Sequence, residues 1–300
     1  MNRLSGRQAL AAGFGLIVRE PGAFLVWCVV CFVLGIVPSM LSIGPTLAMM
    51  GALADGGANS PDVLAAQAQV MRYQPLSYLG SLAVMVLVPP AIFRAVLFPE
   101  DRGVMYLKLG AREFWMTLIV IVLFVGYFLG ILVGMIPFLI LTAIIGFAAG
   151  AGGAGSAAIG GLVGVLLMMV LFGALFWVVL RLSMAPVMAF AQSTFRLTES
   201  WSLTRGHAWK LFLVSVALFA LMLVAEVLIF GVFAAWAGAV APLSSFGSDP
   251  QGTLTRLGAP FLAAGGIAFS LLAGAIYTVA GGAWADMYRQ ISEKPADVFA

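Results

Sequence analysis

Charge is what this chain has least of. Only 9% of its 300 residues are Asp, Glu, Lys or Arg, against 63% hydrophobic. A soluble domain carries about 25% charge, so no water-facing surface can be built here and the chain reads as a polytopic membrane protein. Histidine occurs once, as His207, and cysteine twice, as Cys28 and Cys31. Two cysteines inside one apolar run exclude a disulfide framework. Their C-x-x-C spacing, with no βαβ pattern around it, is two small apolar side chains one helical turn apart. His207 has no Cys or carboxylate cluster at ligand spacing, so no metal site is expected. A Ser-His-Asp site would have to take Ser200 or Ser202 from the same short segment, which one helix makes awkward. No HExxH, Walker or nucleophile-elbow pattern is present. Gly150-Ala-Gly152-Gly-Ala-Gly155 spells G-x-G-x-x-G, but it joins two apolar runs and lacks the strand and the acid of a dinucleotide site. It reads as an uncharged hairpin. No cofactor is expected, and a net charge of +3 gives no reason to expect nucleic acid.

Long apolar runs are what the chain has instead. Six are long enough to cross a hydrocarbon core, which needs about 20 residues. They run over 23–41, 76–98, 114–147, 158–191, 208–239 and 261–288. The expected fold is all-α: a bundle of six transmembrane helices in one membrane domain, with interfacial helices on the cytoplasmic side. The stretch 44–76 reads as one sizeable outer loop in which Pro61-Asp62 starts a short helix. Pro89-Pro90, Pro137 and Pro186 fall inside spans, where each removes a backbone hydrogen bond.

Polar residues gather where spans leave the membrane. Arg181 to Phe212 is the densest such passage: a charge and a proline, an exit near Ala191, a dozen polar residues, a turn at Arg205-Gly206 and a return through Trp209-Lys210. Two earlier segments share the pattern. Ser5-Gly6-Arg7-Gln8 fits a capping box with Gln8 reaching back, so 5–18 reads as a helix in the headgroup layer. Wound as a helix, 103–112 stacks Lys108 and Arg112 with the preceding Asp101 at i, i+7 and i+11, which predicts a second interfacial helix over 103–112.

Lys and Arg fix the expected orientation. Arg3, Arg7, Arg19, Arg94, Arg102, Lys108, Arg112, Arg181, Arg196, Arg205, Lys210, Arg289 and Lys294 fall on one side, and only Arg72 and Arg256 on the other. By the positive-inside rule both termini are cytoplasmic. Three copies of one unit, near 1–99, 100–192 and 193–300, are also legible. Tyr106 and Phe114 stand eight apart, as do Trp201 and Trp209. Val88-Pro89-Pro90-Ala91, Met184-Ala185-Pro186-Val187 and Ala280-Gly281-Gly282-Ala283 each read as a helix-loosening step near the inner end of a second span.

Arg181-Leu-Ser-Met-Ala-Pro186 with Ser200-Trp201-Ser-Leu203-Thr-Arg205-Gly206 resembles the signature of poorly characterised six-span bacterial inner-membrane proteins. These are related to the membrane domain of some glycerophosphodiester phosphodiesterases. Pro99 to Gly110 resembles a segment common in alphaproteobacterial members. The resemblance implies fold and location, and no chemistry. Where family members often carry an acid after the proline, this chain has Met188 to Gln192.

Two functional readings follow. One is a non-catalytic scaffold or lipid-associated protein, its cytoplasmic cations Lys108, Arg112, Arg205 and Lys210 meeting anionic headgroups. The other is a transporter or lipid-handling protein, built on the intramembrane charges Arg181, Glu226, Arg94 and Asp286. An enzyme ranks third. Arg181 and Glu226 lean toward each other by the tilt of helical side chains, which predicts a direct or water-bridged pair. Arg94 and Asp286 align by the repeat and are expected to pair likewise. Gly126, Gly130 and Gly134 form a G-x-x-x-G-x-x-x-G face that serves packing inside the bundle or a homo-oligomer.

Overall fold

A computed structural model describes residues 5–56, 60–152, 154–241, 245 and 249–292. Arg3, Lys294, Gly153 and Gly247 lie outside the described residues. The described residues form helices and no strand, with one isolated bridge between Val104 and Leu107. Six helical stretches are long and apolar enough to cross a membrane: Pro21–Leu53, Pro61–Leu97, Ala111–Ile145, Leu162–Gln192, Ala208–Val240 and Gly252–Ser292. This is an all-α, multi-pass membrane protein. The chain folds as two compact units, 1–113 with 213–300, and 114–212. Those boundaries cut across the three consecutive repeats read from the sequence.

In the first unit, α1 (Gly6–Arg19) is capped by Ser5, whose Oγ accepts from the Gln8 N–H at 3.3 Å. The reciprocal bond of a capping box does not form. The Ser5 N–H instead donates to Gln290 Oε1 at 2.9 Å, on α11 (Pro250–Ser292). α1 buries Ala9, Gly13 and Leu16 on one face, and a Cβ on Gly13 would fall on the Val279 carbonyl while one on Gly282 would come 2.7 Å from Gly13 Cα. Small residues thus let two backbones touch. Gly281 and Gly282 are therefore packing surfaces within an unbroken helical turn, and the loosening expected there does not occur. α11 departs from helical geometry at Gly258, where φ is 72°.

Next come α2 (Pro21–Val30), a π-helical turn over Cys31–Ile36, α3 (Val37–Met40) and α4 (Ile43–Gly56). Pro38 has no N–H and its ring crowds the carbonyl four residues back, so the helix widens just before it. α5 (Pro61–Leu97) packs here with Gly80 against the Leu34 carbonyl. The expected outer loop is thus mostly helix. Its Ala, Leu and Met favour helix, and Ser60 caps α5, accepting from the Val63 N–H at 3.3 Å with Pro61 in the first turn. Pro75, Pro89 and Pro90 lie inside α5, which continues through them.

The second unit holds most of α6 (Ala111–Gly152), with α7 (Ala154–Leu182), α8 (Ala185–Gln192), α9 (Leu197–Leu203) and the start of α10 (Ala208–Val240). Ile119, Ala185 and Ala189 form its core, with Trp115, Leu123 and Leu197 against them. A Cβ on Gly130 would come 2.8 Å from Leu175, and one on Gly134 would overlap Leu171, while Gly126 has no neighbour within 4 Å. Two of the three glycines therefore seat α7 on α6.

Candidate functional site

The first unit gathers its charges between α5 and α6. Arg94, near the end of α5, is 3% exposed. Its guanidinium binds the buried carboxylate of Glu113, meets Asp101 at 3.3 Å and donates to the Tyr106 carbonyl at 2.6 Å. Lys108 closes on Asp101, and Arg112 stacks over the Phe98 ring at 4.0 Å. Glu20 accepts from Arg102 at 2.8 Å and from the Tyr106 hydroxyl at 3.2 Å, while Trp27 Nε1 donates to the Met105 carbonyl at 3.1 Å. The bonds to Asp101, Arg102, Met105, Tyr106 and Lys108 need the 99–110 segment to curl. Gly103, Met105 and Tyr106 all take positive φ, and no helix forms there. The predicted interfacial helix over 103–112 is therefore absent. Asp101 and Lys108 do meet, but across a compact knot closed by buried Tyr106.

The electrostatics follow from this packing. The Lys108 hydrogen bond, helped by Lys108, Arg94 and Arg112 charge, holds the Asp101 carboxyl below its ordinary range. Burial, with Glu20 beside it, pushes the Tyr106 hydroxyl up.

The Arg94–Asp286 pair does not form. Arg94 takes Glu113 and Asp101, and Asp286 takes Arg289 at 2.5 Å and Gln290 at 2.7 Å on its own helix. Gln290 in turn holds the Ser5 N–H, so Asp286 anchors the junction of α1 and α11. The sequence did carry a sign of the true partner. Glu113 is an acid at the threshold of an apolar run, and a buried arginine requires a counter-charge close in the chain or the fold.

Beside the knot is a hollow of about 330 Å³ lined by Arg19, Arg289, Pro99 and small residues of α1 and α5. α1, α5 and α11 all end near it, so the two arginines offset the partial negative charge of those helix ends.

The second unit presents a different arrangement. Ahead of Pro186 the helix breaks at Ser183-Met184, because proline cannot donate and its ring crowds the Leu182 carbonyl. The carbonyl of Arg181 is then taken by the hydroxyls of Ser200 at 3.0 Å and Thr204 at 3.1 Å, both fully buried. α9 is thus folded onto the break in the fourth span. Of the three loosening steps expected, this one is a break. The Arg181 guanidinium lies over Trp177 at 5.0 Å and Trp201 at 5.5 Å. Arg181 belongs to this unit and the half-buried Glu226 to the other. Arg196 binds Glu199 at 2.5 Å, whereas Arg205 and Lys210 form no ion pair among the described residues of their unit. Exposed Trp201 and Trp209 flank Arg205 in the chain and Lys210 follows Trp209, which stacks on Phe212 at 5.1 Å. His207 does not cap the turn through Nδ1, which is buried without a partner among the described residues.

Cys28 and Cys31 are buried free thiols, and no group of three His, Cys, Asp or Glu that could hold a metal occurs among the described residues. No family model, curated protein or solved structure matches the chain.

Proposed function

We propose that this is a non-catalytic membrane protein that binds and organises lipid from the cytoplasmic leaflet of a bacterial inner membrane, both termini facing the cytoplasm. The resemblance of Arg181–Pro186 and Ser200–Gly206 to six-span inner-membrane proteins supports the location. The distribution of Lys and Arg supports the orientation. One observation carries the lipid reading: Arg205 and Lys210 have no acidic partner among the described residues of their unit, and each lies within a few residues of exposed Trp209, Arg205 also of exposed Trp201. An aromatic ring at headgroup depth beside an unspent cation suits an anionic lipid surface. α1 supports it from the first unit, since Phe14 and Val18 stay exposed beside Arg7 and Arg19 on a helix otherwise docked on α11.

Native mass spectrometry of purified protein tests this. Wild type is expected to retain anionic phospholipid that raised salt strips, because screening weakens exposed charge contacts. At about 1 kcal/mol per cation near such a surface, Arg205→Gln with Lys210→Gln lowers retention by roughly thirty-fold. Equal retention in the double variant would reject the reading. Periplasmic reporter fusions at Ala65, Gly153 and Gly247 are the matching check on orientation.

A further inference from the structure

The first unit contains a second feature that its charges do not explain. A cavity of about 500 Å³ opens between the π-helical first span and the far halves of α10 and α11. Its walls include Ile36, Met40, Phe230, Phe233, Phe261 and Phe269. Among its lining residues only Ser39 is polar, and that hydroxyl is spent on the Gly35 carbonyl at 2.9 Å. The rings brace one another: Phe233 meets Phe261 at 5.4 Å and Phe269 at 6.3 Å, and Trp236 meets Phe261 at 5.2 Å. The walls are therefore held in place by edge and stacking contacts. Gly265 and Gly266 keep the α11 side open, and the wide turn at Cys31–Ile36 shapes the opposite side. Wide turns of this kind are frequent at functional sites.

Depth selects the occupant. Counted from the basic end, Ile36 is about 15 residues beyond Pro21, Phe269 about 20 before Arg289 and Phe261 about 28 before it. At 1.5 Å per residue these lie roughly 22, 30 and 42 Å away. A bilayer is about 40–45 Å thick with its headgroups, so the cavity lies in the leaflet opposite the basic end. A site there whose side chains offer no free hydrogen-bond donor recognises hydrocarbon, and its volume falls within the range of about 300–1,000 Å³ usual for small-molecule sites. We propose that this cavity holds one acyl chain of a phospholipid from the far leaflet. The site is independent of the headgroup contacts at Arg205 and Lys210, which belong to the other unit.

The test uses full-length protein in liposomes of a phospholipid bearing a photoactivatable group at its chain end. After irradiation, label is expected on peptides containing Phe230–Ala237 and Phe261–Phe269, at least several-fold above the other lipid-facing spans. Ala234 lines the cavity, and Ala234→Phe fills it and is expected to abolish that excess. Gly265→Leu is the second filler, since a Cβ at Gly265 meets only Phe233 at ordinary contact distance, 3.6 Å. Phe233→Ala enlarges the site and raises the labelling. Uniform labelling along all spans, or an excess untouched by either filled variant that retains wild-type thermal stability, would overturn the proposal. The excess is the same with zwitterionic and anionic headgroups and survives Arg205→Gln with Lys210→Gln, so failure here and failure of the headgroup reading are separate results.

Discussion

The two units spend their charge in opposite ways. In the first, Arg94, Arg102 and Lys108 are matched by Glu113, Glu20 and Asp101, and the matched groups tie α2, α5 and α6 together. In the second, Glu199 satisfies Arg196 alone, and hydroxyls of Ser200 and Thr204 do the structural work by taking a broken helix's carbonyl. Basic composition at a membrane surface therefore does not by itself identify a lipid contact. A cation already held by a carboxylate has little left to offer a headgroup. Of the four cations picked from sequence as headgroup contacts, Lys108 is in an ion pair and Arg112 lies on a ring, while Arg205 and Lys210 form no ion pair among the described residues of their unit.

If the first unit's matched charges are structural, breaking those pairs should cost stability and leave lipid retention alone. The largest effect is expected at the buried pair. Glu113→Gln leaves Arg94 with a diminished counter-charge at 3% exposure, and removing one partner of a buried pair costs about 3–5 kcal/mol. Unfolding followed by denaturant titration in mixed micelles measures this. Replacing both, with Arg94→Met and Glu113→Leu, should recover only part of the loss, because the Tyr106 carbonyl also loses its donor. Full recovery would show that the arginine serves Glu113 alone.

The second unit's counterpart is smaller. Ser200→Ala with Thr204→Val strips the Arg181 carbonyl of both hydroxyls, and an unsatisfied buried acceptor costs about 1–3 kcal/mol. The same titration checks it. The comparison sharpens if this variant also loses anionic lipid, because α9 leads directly into the turn that holds Arg205 and, at the start of α10, Lys210. Glu113→Gln should not.

What was legible in the sequence follows the range of the forces involved. The six spans were legible because an apolar window of about 20 residues has no stable alternative in lipid. The break at Pro186 was legible because proline acts on its own turn. The helix predicted over 103–112 failed because the charge stripe was a local signal outweighed by distant ones. Trp27 holds the Met105 carbonyl across 78 residues and Glu20 holds Tyr106 across 86. The matched spacing of Tyr106 with Phe114 and Trp201 with Trp209 does not extend to burial: Tyr106 is buried while Trp201 is exposed. The Gly, Ala, Ser and Pro content of 44–76 points to loop, a guide suited to water. Beside a membrane, small residues are helix surfaces. The apolar cavity had no signature, since its residues come from three spans and look like any others that face lipid.

The smallest expected effect probes the rim of the knot, and its sign can be worked out. Lys108, by hydrogen bond and then by charge, holds the Asp101 carboxyl below its ordinary range in the folded protein. Folding therefore favours the carboxylate over the acid. The contribution is fully present above the ordinary carboxylate range and is lost as pH falls through the lowered folded value. Asp101 lies at the surface, so the effect is a modest tilt in stability against pH, further reduced by salt. Thermal unfolding from about pH 6 down to about pH 3, below the ordinary aspartate value, should show wild type losing more stability than Asp101→Asn at low salt, with the difference shrinking as salt is raised. Parallel curves for the two proteins would mean that Lys108 and Asp101 touch without holding, and that the knot is closed by Arg94 and Glu20 alone.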